Sequence, residues 1–151
     1  MEQRTPVCSP PMAREHYLDH LASVPLFRGM TTKELRDIAK ATVELTIVEG
    51  KEFVTQGDVG REAFVVVEGT ADVVRNGKTI AELGPGSCIG ELSLLDHGPR
   101  TASVIAKTNL TVLVLGPREF NGVLDEVPTL THKILETLAN RVRELDARVY
   151  G

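Results

Sequence analysis

The sequence has few cysteines and no long apolar run. Its 151 residues contain two cysteines, Cys8 and Cys88, which exclude a disulfide framework and a four-thiolate metal cluster. No apolar run approaches the about 18 residues that a membrane-spanning helix needs, and the N-terminus lacks the apolar core of a signal peptide. We therefore expect no membrane span and a cytoplasmic location.

An excess of positive charge is also missing. The formal net charge is −4 and the pI is about 5.6. A surface with this balance does not attract nucleic acid or anionic membranes over its whole area. We therefore predict no direct DNA binding by this chain.

The length and composition are typical of one globular domain with a single sizeable core. Residues 1–13 contain three prolines and show no periodicity, which predicts a flexible N-terminal arm. The rest, 14–151, is predicted to be a single domain. Its parts are a helical lead-in over 14–41, a β-roll over 42–115 and C-terminal helices over 117–150.

The helical lead-in contains two predicted helices. The first covers residues 14–24, and the second begins at a capping box formed by Thr31 and Glu34 and ends near Ala41. The inward-facing residues predicted for the second helix are Leu35, Ile38 and Ala39. His16 and His20 lie four residues apart and could share a metal ion. Since no third ligand is evident, we favour the interpretation that both histidines are solvated.

The central region changes to a period of two. Val43, Leu45 and Ile47 alternate with polar residues, and glycines recur between short apolar runs. Such a pattern indicates an all-β sandwich or barrel. Asn76-Gly77, between two such runs, is a strong signal for a two-residue type I′ hairpin turn.

A glycine, a glutamate and an arginine stand close together near residue 95. Gly90 permits a close backbone approach, and residues 91–95 could form one helical turn with free N–H groups at its start. Arg100 follows Pro99, and a guanidinium is well suited to gripping a phosphate in a bidentate geometry. Glu91 fits the same site if the ligand also carries a hydroxyl donor, as a ribose does.

The segment Gly90-Glu91-Leu92-Ser93-Leu94, with Pro99-Arg100-Thr101-Ala102 after a spacer, resembles the phosphate-binding cassette of the cyclic-nucleotide-binding domain family. We call residues 90–102 the cassette. The resemblance implies a mainly β fold, a jelly-roll-like β-roll with helices at both ends. It also implies that the glutamate takes the ribose hydroxyl and that the arginine, with backbone N–H groups around Leu92, Ser93 and Thr101, takes the phosphate. The predicted ligand-binding residues are Gly90, Glu91, Leu92, Ser93, Arg100, Thr101 and Ala102.

The function that this resemblance implies is a sensor for a cyclic nucleotide, with cyclic AMP as the favoured ligand and cyclic GMP as a second one. No catalytic set, metal or cofactor is predicted, and Glu91 as a general base is a minor alternative. Three other interpretations stay open: an ordinary polar loop, a protein-interaction module that binds no nucleotide, and the sensor part of a larger regulator or enzyme. We expect no helix-turn-helix after the last helix, and the sequence does not identify the output partner.

The last predicted helix carries an apolar stripe at spacings of 3, 4, 3 and 4. Its members are Leu135, Leu138, Val142, Leu145 and Val149. This heptad pattern predicts a homodimer through the helix. One alternative is a stripe that packs on the β-roll. Another is a lid over the nucleotide, because in family members a corresponding helix either closes over the nucleotide or pairs two subunits, and sometimes does both.

Cys88 precedes the cassette at a position where the family usually has bulky apolar residues. We therefore predict a small core residue here, with a redox sensor as the alternative. His97 lies in the spacer of the cassette and is predicted to face the solvent.

Overall fold

The computed structural model describes residues 17–150, so the predicted arm over 1–13 and His16 lie outside the described residues. The first helical elements are α1 (Tyr17–Ala22), a 3-10 turn (Pro25–Phe27) and α2 (Thr32–Ala41). The predicted capping box is confirmed. The Thr31 hydroxyl accepts from the Glu34 N–H at 3.2 Å, and the Glu34 carboxylate accepts from the Thr31 N–H at 2.8 Å.

The strands form two four-stranded antiparallel sheets. The first contains, in spatial order, β1 (Val43–Ile47), β8 (Leu110–Leu115), β3 (Ala63–Glu68) and β6 (Cys88–Ile89). The second contains β2 (Glu52–Val54), β7 (Ser103–Ala106), β4 (Ala71–Arg75) and β5 (Lys78–Leu83). The remaining helices are α3 (Ser93–Asp96), α4 (Pro117–Glu126) and α5 (Pro128–Tyr150). The predicted mainly β fold with flanking helices is confirmed.

Strand β3 is buried on both faces, and the two faces belong to different parts of the core. Ala63, Val65 and Val67 pack with the apolar side chains of the helices. Phe64 and Val66 pack between the two sheets. Because side chains alternate along a strand, β3 joins the helical layer to the interior of the roll.

The hairpin between β4 and β5 turns at Asn76 and Gly77, which have φ values of 53° and 80°. A type I′ turn needs positive φ at both central positions, and asparagine and glycine tolerate it best. The predicted turn is therefore confirmed.

Strand β1 differs from the simplest interpretation of its alternating pattern. Ile47 is buried, but Val43 and Leu45 are 51% and 44% exposed. The reason is the position of β1 at the edge of its sheet, where only β8 pairs with it. The period of two predicts the strand correctly without predicting which side chains become covered.

Helix α5 packs on the domain through a face that shares only Leu138 with the heptad pattern. Leu130 and Ile134 are buried, and Leu138 is partly buried against the same core cluster. The other four members of the predicted stripe are 59% to 71% exposed: Leu135, Val142, Leu145 and Val149. The alternative in which the whole stripe packs on the β-roll is therefore wrong. A straight helix with 3.6 residues per turn presents the stripe and the docking face in different directions.

Within the described part of the chain, none of the helices combines the length and apolar content needed to cross a membrane. In the same region, no group of three His, Cys, Asp or Glu residues could hold a metal ion.

Candidate functional site

A cavity of about 450 Å³ lies between the cassette and the second sheet. The second sheet contributes an apolar wall formed by Val54, Val73, Leu83 and Val104. All seven predicted site residues line the opposite part: Gly90, Glu91, Leu92, Ser93, Arg100, Thr101 and Ala102. The fold therefore brings the two halves of the sequence motif to one cavity of a size typical of small-ligand sites.

The path of the cassette depends on two residues in the left-handed region. Strand β6 ends at Ile89, and Gly90 turns the chain with a φ of 70°. Helix α3 then makes one turn and ends at Asp96; the next residue, His97, caps it with a φ of 53° and is exposed as predicted. The Ser93 N–H, expected to serve as a phosphate donor, instead donates to the Gly90 carbonyl at 3.0 Å.

The Arg100 side chain is held by two hydrogen bonds on the inside of the cassette. Its Nη1 donates to the Ser93 hydroxyl at 3.2 Å, and its Nη2 donates to the Glu62 carbonyl at 2.9 Å. The Ser93 hydroxyl therefore accepts from the guanidinium, which an alanine at this position could not do.

Two glycines give the guanidinium room to lie against the backbone. A Cβ on Gly90 would stand 1.9 Å from Nη1 of Arg100, and one on Gly60 would stand 2.3 Å from its Nε. The close approach predicted at Gly90 is therefore an approach to Arg100. The sequence does not predict the same role for Gly60, because nothing distinguishes this residue from the many glycines in turns.

The charge of Arg100 is partly desolvated. Burial lowers the pKa of its guanidinium, while the nearby Glu62 carboxylate raises it. The guanidinium carbon also lies 5.9 Å from the centre of the Phe64 ring, within cation–π range. Since an arginine stays protonated in proteins, the cavity contains a fixed positive charge with hydrogen-bond donors left over.

Glu91 places a carboxylate in the same cavity, with its side chain only 13% exposed. Its Oε1 accepts from Nη1 of Arg141 on α5 at 3.2 Å. Its Oε2 is buried and has no hydrogen-bond partner among the residues that the structure describes. A buried acceptor without a donor is unfavourable, so a ligand hydroxyl at this point would complete the carboxylate's hydrogen bonds.

Arg141 is a site residue that the sequence does not reveal. It lies in a run of alternating charges, which is typical of a solvated helix flank. It is 50 residues away from Glu91 in the chain. Only the docking of α5 brings the two side chains together.

Cys88 lies beside the same carboxylate and packs partly against the core. Burial raises the pKa of its thiol, and the negative charge of Glu91 raises it further. The thiol is therefore protonated at neutral pH, which favours the predicted core role over a redox sensor.

A larger groove of about 790 Å³ runs between α5 and the Pro25–Gly29 turn. Leu145 of the exposed stripe lines it, as do charged residues of both signs. Of the predicted ligand-binding residues, none lines this groove.

The fold and the cavity define a β-roll domain whose pocket is lined by two cationic side chains, Arg75 and Arg100, and two anionic ones, Glu91 and Asp96. Comparison with known proteins agrees with this class. The sequence model described as "cyclic nucleotide-binding domain" matches residues 44–127. The chain belongs to the cyclic nucleotide-binding domain family.

Similar proteins include receptors and regulatory subunits. The chain is 34% identical over 128 residues to the cyclic AMP receptor protein of Thermus thermophilus, covering 81% of this chain and 59% of that protein. It is 35% identical over 118 residues to the cAMP-dependent protein kinase regulatory subunit of Mucor circinelloides, covering 76% and 28%. The chain thus spans less than two thirds of either relative.

A solved structure shares the fold closely. The N-terminal domain of a transcriptional regulator from Streptomyces coelicolor A3(2) superposes with a TM-score of 0.80 at 32% identity. The match covers 85% of this chain and 96% of that domain.

Proposed function

We propose that this chain is a cyclic nucleotide sensor that binds cyclic AMP in preference to cyclic GMP and has no catalytic role. The observation that carries the proposal is the buried Oε2 of Glu91, which lacks a partner and lies in the same cavity as the Arg100 guanidinium. A phosphate with a hydroxyl on the adjoining sugar meets both requirements at once. The apolar wall from the second sheet is suited to a nucleobase.

In this proposal Arg100 takes the cyclic phosphate and Glu91 takes the ribose 2′-hydroxyl. The guanidinium has five N–H donors, and its bonds to Ser93 and Glu62 leave others for the phosphate. Backbone N–H groups near Leu92 and Thr101 add further donors. The small side chain of Ala102 lets the strand after Arg100 pass close to the ligand.

The proposed signal leaves the site through α5. Arg141 on α5 donates to the carboxylate that receives the ribose hydroxyl. Ligand binding orders that carboxylate, so it favours the arrangement in which α5 is docked over the cassette. This is a population shift, driven by the difference in ligand affinity between the docked and undocked states.

Titration calorimetry with cyclic AMP and cyclic GMP tests the binding proposal, and Glu91→Ala tests the role of the carboxylate. Losing one charge-assisted hydrogen bond of roughly 1.5–3 kcal/mol should weaken cyclic AMP binding about 10- to 150-fold. Glu136→Ala, at an exposed position of α5, is the matched control and should bind as the parent does. A parent that binds neither nucleotide contradicts the proposal, and an unchanged Glu91→Ala contradicts the assigned role.

We also propose a homodimer through the exposed stripe of α5. Four large apolar side chains at heptad spacing face the solvent, and a second copy of the same helix would cover them. Leu145→Glu should yield a folded monomer, because Leu145 makes no part of the buried core. Ala147→Glu places the same charge on α5 outside the stripe and should stay dimeric. Light scattering decides this, and a parent that is monomeric at micromolar concentration with and without cyclic AMP rules the dimer out.

The output is proposed to reside in another protein or in a further segment, since the relatives are longer than the matched region. The cytoplasmic location, the lack of direct DNA binding and the division into an arm over 1–13 and one domain over 14–151 stay predictions. A module that no longer binds nucleotide is the alternative, and the intact Glu91 and Arg100 pair disfavours it.

A further inference from the structure

Arg75 is a charged residue that the second sheet brings to the cavity. It is the last residue of β4, directly before the Asn76-Gly77 turn. The other charged lining residues are Glu91, Asp96 and Arg100, and all of them belong to the cassette. An arginine on this wall calls for an explanation, since the other lining residues of the second sheet are valines and a leucine.

The position of Arg75 is determined by hydrogen bonds between three segments. Its Nε donates to the carbonyl of Thr101 at 3.1 Å. The next residue, Asn76, donates its N–H to the Gln56 side chain at 3.0 Å, and the Gln56 amide donates back to the Asn76 side chain at 2.9 Å. The hairpin end is therefore hydrogen-bonded both to the β2–β3 loop and to the cassette. These bonds keep the Arg75 side chain at the cavity.

The guanidinium of Arg75 retains unused donors. Its Nε–H is engaged by Thr101, and within residues 17–150 no further hydrogen bond of this side chain is observed. The two Nη groups can therefore present a pair of parallel N–H donors. That pair matches two neighbouring acceptors, such as O6 and N7 of guanine. Adenine offers N7 alone, because its N6 amino group is itself a donor.

We propose that Arg75 is a base-recognition residue that raises the affinity of the site for a cyclic nucleotide with a 6-oxo purine base. The inference rests on the proposed function: a phosphate at Arg100 and a hydroxyl at Glu91 leave the base to the wall that contains Arg75. The apolar part of this wall accepts either purine. Arg75 adds a contact that only the 6-oxo base can make with both of its acceptors. This contact raises the affinity for cyclic GMP of a site that otherwise favours cyclic AMP.

Calorimetry on the parent, Arg75→Ala and Arg75→Lys, each with cyclic AMP and cyclic GMP, tests the proposal. Arg75→Ala should weaken cyclic GMP binding about 5- to 10-fold, near the lower end expected for a bidentate arginine–guanine pair because the residue is exposed. Binding of cyclic AMP should change less than about twofold. Arg75→Lys keeps the charge but loses the paired donors, so it should also lose affinity for cyclic GMP selectively.

The control is Lys78→Ala, at the position paired with Arg75 across the hairpin. It removes a positive charge from the same turn and should leave both affinities unchanged. An equal loss for the two nucleotides in Arg75→Ala overturns the proposal, since it would mean that the bond to Thr101 merely supports the cassette. Unchanged binding of both, or a parent that binds cyclic AMP but not cyclic GMP, also overturns it. A parent that binds neither nucleotide refutes the proposed function itself.

Discussion

Arg100→Ala should weaken cyclic AMP binding by about 30- to several-thousand-fold, which corresponds to the roughly 2–5 kcal/mol lost when one partner of a buried, hydrogen-bonded charge pair is removed. In the proposed site this guanidinium pairs with the phosphate; the Ser93 hydroxyl accepts one of its hydrogen bonds, and two glycines leave room for it. Titration calorimetry measures the loss. We expect a larger effect than for Glu91→Ala, because a phosphate charge would be left unpaired.

Two further variants make this result specific. Arg100→Lys keeps the charge but cannot form a bidentate pair, so its affinity should fall between those of the parent and the alanine variant. Arg118→Ala removes an exposed arginine from α4 and should bind as the parent does. Urea denaturation confirms that each variant is folded. If folded Arg100→Ala binds cyclic AMP with the parent's affinity, the cassette does not bind the phosphate as proposed.

Glu34→Gln should lower the free energy of unfolding by about 2–3 kcal/mol at pH 7, since it breaks an ion pair that is largely shielded from water. Glu34 caps α2, and its carboxylate also accepts from Thr129 at 3.0 Å and from Lys133 at 2.6 Å, both at the start of α5. The Glu34 side chain is 10% exposed, but that of Lys133 is 31% exposed. We therefore expect less than the full cost of breaking a buried pair.

The pH dependence follows from the direction of the shift. Burial alone would raise the pKa of Glu34, but hydrogen bonds from Lys133, Thr31 and Thr129 and the charge of Lys133 lower it from 4.5 to about 2. A carboxylate with a lowered pKa stabilises the folded state fully above the pKa of the unfolded chain, near 4.5. This stability is lost as the pH falls towards 2.

Urea denaturation of the parent and of Glu34→Gln between pH 7 and pH 2 checks the prediction. The difference between the two should be largest above pH 4.5 and should shrink below it. Glu126→Gln makes the same change at an exposed position of α4 and should show no such difference. A gap between parent and Glu34→Gln that persists undiminished at pH 2 contradicts the assigned ion pair.

Features that depend on neighbours in the sequence could be predicted well. The Asn76-Gly77 turn and the Thr31 to Glu34 capping box need only a few consecutive residues, because local backbone conformation and short-range hydrogen bonds determine them. The cassette is similar, since Glu91 and Arg100 are separated by a single helical turn and a bend. Their meeting in one cavity follows from local geometry as much as from the fold.

Features that depend on packing between distant elements could not be predicted. Nothing near Arg141 in the sequence indicates a contact with Glu91, and nothing near Gly60 indicates that Arg100 lies against it. The same holds for Arg75, whose charge reaches the cavity only because the hairpin is tied to Thr101. In each case the partner is more than 20 residues away, so no periodicity or motif could link them.

The sequence by itself determined the β-roll, the turns and the two charged residues of the cassette, since alternating apolar residues, turn glycines and a compact motif act through local conformation. Only the tertiary structure decided which side chains surround those charges. It decided that one oxygen of Glu91 is bound by α5 while the other is left buried without a partner. It also decided that α5 docks through Leu130 and Ile134 and leaves most of its heptad stripe exposed. Both outcomes depend on the angle and rotation with which α5 packs against the folded core. A pattern of residues along the chain carries no information about that packing geometry.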